Sequence, residues 1–362
     1  MATIASTAAP RGGRPEVDAR RRARRRTAVL APLLVLALAA SIVVATTIGS
    51  ADLAVGDVLR SILSHLGVPR ELIGANPLDR LRDGIVWQLR VPRVLTAAAV
   101  GAGLAIAGAV MQALTRNQLA DPYLLGLSSG ASLGAVSVIL LGVAVVLPVA
   151  AFGGALLALA ATLGLAGALG AITPTRTVLA GVAVSSLAGA ATSFAIFWSA
   201  EQDSYREILG WLLGSLAGAR WPAVGIAGVA VLVIGLPLLL SGRILDAFAF
   251  GDTTAASLGI GVQRTRWILL GATALLTGAL VAVSGSIGFV GLVLPHAIRL
   301  VVGPGHRTLL PLSALVGAVF LIWADTLARS AFAPRELPVG IVTALIGAPV
   351  FALLLARRRS EA

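Results

Sequence analysis

The sequence predicts an all-α polytopic membrane protein of about ten transmembrane helices. Three observations carry that expectation. Of the 362 residues, 57% are hydrophobic and only 12% are charged, with a mean hydropathy of +0.94, outside the range of soluble domains. Apolar runs of about 20 residues, enough to cross a bilayer, recur along the chain with little charge inside them. The remaining charge is basic, +12 formally, and collects in the tails and connections, where anionic headgroups would meet it. That distribution argues against a nucleic-acid partner.

Residues 1–27 read as a disordered, arginine-rich cytoplasmic tail. Arg20-Arg21-Arg22 and Arg24-Arg25-Arg26 precede a first apolar run at 28–50, which is longer than the ~7–15 residues of a signal core and reads as an uncleaved span. Residues 51–93 are the longest polar connection and are expected outside. Within it, Val55 to Leu66 has the helical apolar spacing of a surface-lying helix. Further spans are expected near 94–113, 124–144, 148–171, 178–198, 221–241, 266–284, 288–302, 309–328 and 338–356. The eighth is short and has to be broken, tilted or partly re-entrant. A connection at 242–264 and a tail at 357–362 complete the membrane unit of 28–356 and its flanks. An even span count puts both arginine-rich ends on one side, the cytoplasm by the positive-inside bias. Eight or twelve spans satisfy the same parity.

Every one of the 28 basic residues is arginine. A chain without lysine has no Walker A motif, so ATP-driven work needs a motor on another chain. Cysteine is absent, and His65, His296 and His306 are scattered, which leaves no disulfide framework, thiolate nucleophile or metal cluster readable from spacing. Without lysine, cysteine or paired carboxylates there is no catalytic constellation, and no cofactor or metal is expected to bind directly. An ion-coupled secondary transporter would need carboxylates within spans, and Asp325 is the serious candidate. A membrane scaffold would explain the apolar helices but not the ordered motifs. Glycines 101, 103, 108 and 130 fit close helix packing.

Two interruptions stand out: Asn117 to Tyr123 beside spans two and three, and Gly288 to His296 in span eight. Unwound backbone at membrane depth is costly unless it faces protein or a wet cavity. A translocation path fits these interruptions, and so do plain loop boundaries.

Specific motifs follow one another along the chain. Trp87-Gln88-Leu89-Arg90-Val91-Pro92-Arg93 leads into a span ending Gly108-Ala109-Val110-Met111-Gln112-Ala113-Leu114. Arg116-Asn117-Gln118-Leu119-Ala120-Asp121-Pro122 and Leu125-Gly126-Leu127-Ser128-Ser129-Gly130-Ala131 come next. Later lie Gly285 to His296, Arg299, Ala324-Asp325-Thr326-Leu327-Ala328-Arg329, Glu336-Leu337-Pro338-Val339-Gly340 and Gly347-Ala348-Pro349. In order and spacing, these resemble the FecCD-type permeases, membrane subunits of ABC importers for ferric siderophores, haem and vitamin B12. The resemblance covers roughly 28–356.

It implies a type II ABC importer permease fold in a bacterial cell membrane. A second permease subunit, most simply an identical one, would enclose the path; two cytoplasmic ATPase subunits would use the ATP, and a substrate-binding protein would dock outside. It implies that Arg90, Arg93 and Arg329 meet carboxylates of that binding protein, with headgroup anchoring the plainer role for the first two. Gly251, Asp252, Ala256, Leu258 and Gly259 would belong to two short coupling helices. Gln112, Asn117, Ser128, Ser129, Gly288, Pro295 and His296 are expected at the pathway or at helix breaks, with His296 a hydrogen-bonding residue rather than a metal ligand. Asp325 is expected to orient span nine beside Arg329. Ferric siderophore is the first expectation for substrate; haem, a corrinoid or another bulky cofactor precursor are the alternatives. One departure is Gln118, where the family usually has proline; glutamine restores a backbone donor and frees φ.

Overall fold

Backbone inside a bilayer has to satisfy its own polar groups, and this chain does so with helices. The computed structural model describes residues 14–49, 53–141, 146–168, 173–199 and 202–359. Among these residues there is no strand. Helix α1 (Arg14–Thr47) is followed by three short helices, α2 (Val55–His65), α3 (Arg70–Ile73) and α4 (Arg80–Gly84). A π-helical turn, Ile85–Arg90, joins α4 to α5 (Val91–Thr115). Helices α6 (Leu127–Leu141), α7 (Leu147–Ala168), α8 (Pro174–Ser199) and the short α9 (Gln202–Leu212) come next. Then α10 (Trp221–Ala230), a second π-helical turn, Val231–Gly235, and α11 (Leu236–Leu240) form one span. Short helices α12 (Gly242–Ala249) and α13 (Asp252–Ser257) precede α14 (Val262–Ser284), α15 (Val290–Val302), α16 (His306–Ser330) and α17 (Val339–Arg359).

Each of the ten expected spans coincides with an apolar helix. Seven are long enough to cross a membrane, and the shorter Leu127–Leu141, Val290–Val302 and Val339–Leu354 occupy the other three positions. Their boundaries differ from expectation in three places. The first 13 residues of the expected disordered tail lie outside the described residues, whereas from Arg14 the backbone is already helical and continuous with the first span; arginine and alanine are strong helix formers. The second span starts early, because helix runs unbroken from Arg80 to Thr115 and takes up the end of the expected 51–93 connection. Both π-helical turns sit two residues before a proline, Pro92 and Pro237. Proline lacks the N–H that the α register requires, and a wider turn absorbs the misfit without ending the helix. Finally, the interruption near span eight lies at 285–289, ahead of α15, and the helix then passes straight through Pro295 and His296.

Helix α5 is the spine of the bundle, buried along nearly its whole length. Helix α16 packs along it, and α14, α15 and α10 complete its surroundings. Two of these crossings are backbone on backbone. A Cβ on Gly101 would lie 2.1 Å from the carbonyl oxygen of Gly317, and one on Gly108 would lie 1.9 Å from that of Gly291. Leu104, Ile106, Met111, Leu276 and Leu280 fill the space between. Helices α6, α7 and α8 form a second group joined to the first through α14, and α1 lies against α16. The outward faces stay apolar: Leu36, Leu187 and Phe197 are among the exposed side chains, as a hydrocarbon surrounding requires.

Candidate functional site

At about 1.5 Å per residue, α6 and α15 are only about 22 and 20 Å long, short of the ~30 Å hydrocarbon core. The interruptions that precede them, 116–126 and 285–289, meet each other. The Tyr123 hydroxyl donates to the carbonyl of Ile287 at 3.0 Å and accepts from the Ile287 N–H at 3.2 Å. One phenol therefore serves both backbone polar groups of a non-helical residue. Ser128 and Ser286 share a hydrogen bond of 2.7 Å beside it. In the connection itself, an Asp121 carboxylate oxygen accepts from the Tyr123 N–H at 2.8 Å.

Tyr123 was legible as one of only two tyrosines in the chain, but nothing in the sequence pairs it with Ile287. Tyr123→Phe should leave both Ile287 groups without that partner, at about 1–3 kcal/mol for each buried group. The expected result is a melting temperature in detergent several degrees lower. An unchanged value would remove this clamp.

Proline at position 295 deprives the carbonyl of Gly291, four residues earlier, of its helical donor. Gln112, 2% exposed on α5, supplies the replacement: its Nε2 donates to Leu292 O at 3.0 Å and Gly291 O at 3.4 Å. Its Oε1 accepts from Arg299 at 3.1 Å. This compensation explains why α15 continues where a break at Pro295–His296 was expected, and His296 is accordingly a buried mid-helix residue. Asn117 stands apart in the exposed turn after α5, where its side-chain oxygen accepts from the Leu119 N–H at 2.9 Å. Ser129 is half-buried beside Ser128, and Gly288 has open space next to its Cα.

Arg90, Arg93 and Arg329 gather at one end of the bundle, each less than 10% exposed, at 6%, 8% and 9%. Arg93 forks onto Asp325 through Nε at 2.8 Å and Nη2 at 3.0 Å, and its Nη1 donates to Glu336 at 2.8 Å. Asp325, expected to pair locally with Arg329, takes Arg93 as its main partner; the Arg329 Nε is 3.9 Å away. Arg90 donates to the carbonyls of Thr46 and Thr47 at 3.1 and 2.9 Å. Arg329 donates to Ile48 O at 2.7 Å and to Ala45 O. The last carbonyls of a helix have no partners of their own and carry its negative dipole end, so two guanidinium groups suit the terminus of α1. All three arginines border a cavity of about 590 Å³ that Glu336 and Arg220 also line. Arg220 is exposed, and it lies outside every motif described above.

The 242–264 connection holds two short helices, α12 and α13, but the five residues expected on both lie in and around α13 alone. Gly251 (φ +108°) and Gly259 (φ +78°) bracket α13 in conformations that favour glycine. Asp252 pairs with Arg266 at 2.7 Å, while Ala256, Leu258 and Gly259 point outward. Leu258 is 67% exposed, and Phe250, which sequence reasoning missed, is 79% exposed.

A many-spanned helical bundle with two interruptions meeting inside it, and a pair of short helices offering apolar tips, has the build of a membrane permease subunit. The chain belongs to the FecCD transport family, whose family model matches residues 34–357. It is 48% identical over 282 residues to the cobalamin import system permease protein BtuC of Halobacterium salinarum, covering 77% of this chain and 75% of that one. It is 43% identical over 290 residues to the hemin transport system permease protein HmuU of Yersinia pestis, covering 76% and 84%. A solved structure described as an inward-facing metal-chelate type ABC transporter superposes with a TM-score of 0.78 at 32% identity, over 90% of this chain and 98% of the other. The fold is thus that of an ABC importer permease.

Proposed function

We propose that this chain is the membrane subunit of an ATP-driven importer that passes a tetrapyrrole-type metal chelate, a corrinoid or haem, into a bacterial cell. The observation that carries the substrate class is the 43–48% identity to permeases named for cobalamin and hemin. Ferric siderophore, the first expectation from sequence, becomes the comparison substrate. In this reading two copies enclose the path in the plasma membrane, with both termini in the cytoplasm. The exposed Phe250 and Leu258 of the α12–α13 segment seat two ATPase subunits. Arg90, Arg93 and Arg329 shape the outer mouth on which a binding protein docks, and Ser128, Ser129 and Gly288 border the path. Transport then proceeds by alternating access, with no covalent chemistry in this chain.

The test is uptake into vesicles that hold this chain with its ATPase and binding protein, with cobalamin, haemin and a ferric siderophore supplied separately. Uptake of cobalamin or haemin that requires both partners supports the reading; uptake of the siderophore alone overturns the substrate class. In the same vesicles, Leu258→Asp should remove an apolar contact worth about 1.5–3 kcal/mol and uncouple ATP hydrolysis from uptake. Normal coupled uptake would sink the assignment of that helix.

A further inference from the structure

Helix α16 begins at His306 with Gly305 in the capping position, which has no side chain to cap it. The cap comes from 60 residues away. One oxygen of Asp246, on α12, accepts from the His306 backbone N–H and lies 2.8 Å from both that nitrogen and the ring Nδ1. A carboxylate at this place satisfies an orphan donor and meets the positive end of the helix dipole. His306 is 3% exposed, whereas the Asp246 carboxylate remains partly open to solvent. The contact beside it is equally close, since a Cβ on Gly242 would sit 2.9 Å from the Arg307 nitrogen. Helix α12 is therefore fixed to the first turn of α16 by a latch and by direct backbone packing.

The far end of α16, about 37 Å away at 1.5 Å per residue, carries Asp325 and Arg329. There it is held to α5 through Arg93 and to α1 through the carbonyls of Ala45 and Ile48. The neighbouring short helix has a separate fastening. Asp252 of α13 binds Arg266 of α14, whose guanidinium lies 5.4 Å from the centre of the Phe248 ring on α12. Helix α14 leads to the interruption at 285–289, whereas α16 leads to the mouth.

We infer that Asp246 is a positioning residue for transport: it locks the ATPase-facing segment to α16, so that α16 carries displacement lengthwise between that segment and the outer mouth. This inference rests on reading α12–α13 as the ATPase contact. A rigid helix can transmit displacement only through the joints at its two ends. Asp246 matters here for the joint it makes, and it touches no substrate.

The experiment uses the complete transporter, this chain with its ATPase and binding protein, in lipid nanodiscs. It reads the fold-stimulation of ATP hydrolysis by the binding protein over each variant's own basal rate. Asp246→Ala should lower that stimulation about tenfold, within the range of ordinary allosteric coupling. Asp246→Asn, which keeps an oxygen to accept the His306 N–H, should restore most of it. A role in folding alone would reduce assembled complex and leave the fold-stimulation of what assembles unchanged. Should Asp246→Ala fail to assemble, His306→Leu decides, because it removes the ring contact but keeps the backbone one. Wild-type stimulation in the assembled variant overturns the latch and leaves the importer reading standing. A wild-type complex with neither stimulation nor uptake overturns the importer reading and this inference with it.

Discussion

Arg93→Met is expected to destabilise the protein by about 3–5 kcal/mol, the usual cost of removing one partner from a buried ion pair. Asp325 is 1% exposed and receives two of the Arg93 donors. Arg329 lies 3.9 Å away through its Nε, and its other donors are taken by the carbonyls of Ala45 and Ile48. A carboxylate in that position has no water to retreat to. The double variant Arg93→Met with Asp325→Leu should recover most of the loss, because an apolar pair of similar volume removes the uncompensated charge. Thermal melting of both variants in the same detergent checks this. A single variant as stable as the wild type would show that the pair bears little of the fold, and an unrescued double variant would place the cost elsewhere, for instance in the contact with Glu336.

A comparable loss is expected from Gly108→Val. Its Cβ would fall 1.9 Å from the carbonyl oxygen of Gly291, a backbone atom that cannot swing aside. Overpacking ordinarily costs about 1–3 kcal/mol, and more where the obstacle is main chain. Because α15 hangs from α5 at this crossing and through Gln112, the helices would have to part. The variant should yield little monodisperse protein on size-exclusion chromatography. Gly218→Val, at a position with open space, is the control and should behave as wild type. Normal yield of the Gly108 variant would mean that the crossing is looser than its geometry.

The spans were legible because each announces itself within about 20 residues. The stretch from Gly251 to Gly259 was marked through the family resemblance; it forms α13 and its flanks, and α12 lies before it. What the sequence could not display was partnership at long range. Tyr123 and Ile287 lie 164 residues apart, and Gln112 and Leu292 lie 180 apart. The misplaced break has that origin. Proline ordinarily ends or kinks a helix, yet α15 continues through Pro295, where a glutamine on another helix donates to the Gly291 carbonyl that the proline frees and to its neighbour. The three marked arginines gather at one end of the bundle. Charge and motif marked Arg90 and Arg329, while only the fold shows their donors turned towards the end of α1.

That last arrangement bears on the order in which the protein is made. Helix α1 leaves the ribosome first, and Arg90 follows only 43 residues after Thr47. Arg329 emerges 281 residues after Ile48, when all but the last of the helices has been synthesised. Until then the terminus of α1 is half fastened. A chain lacking α16 would leave the carbonyls of Ala45 and Ile48 without those donors. The terminus of the first helix is thus held by two arginines far apart in the chain, and the second of them arrives only with the ninth span.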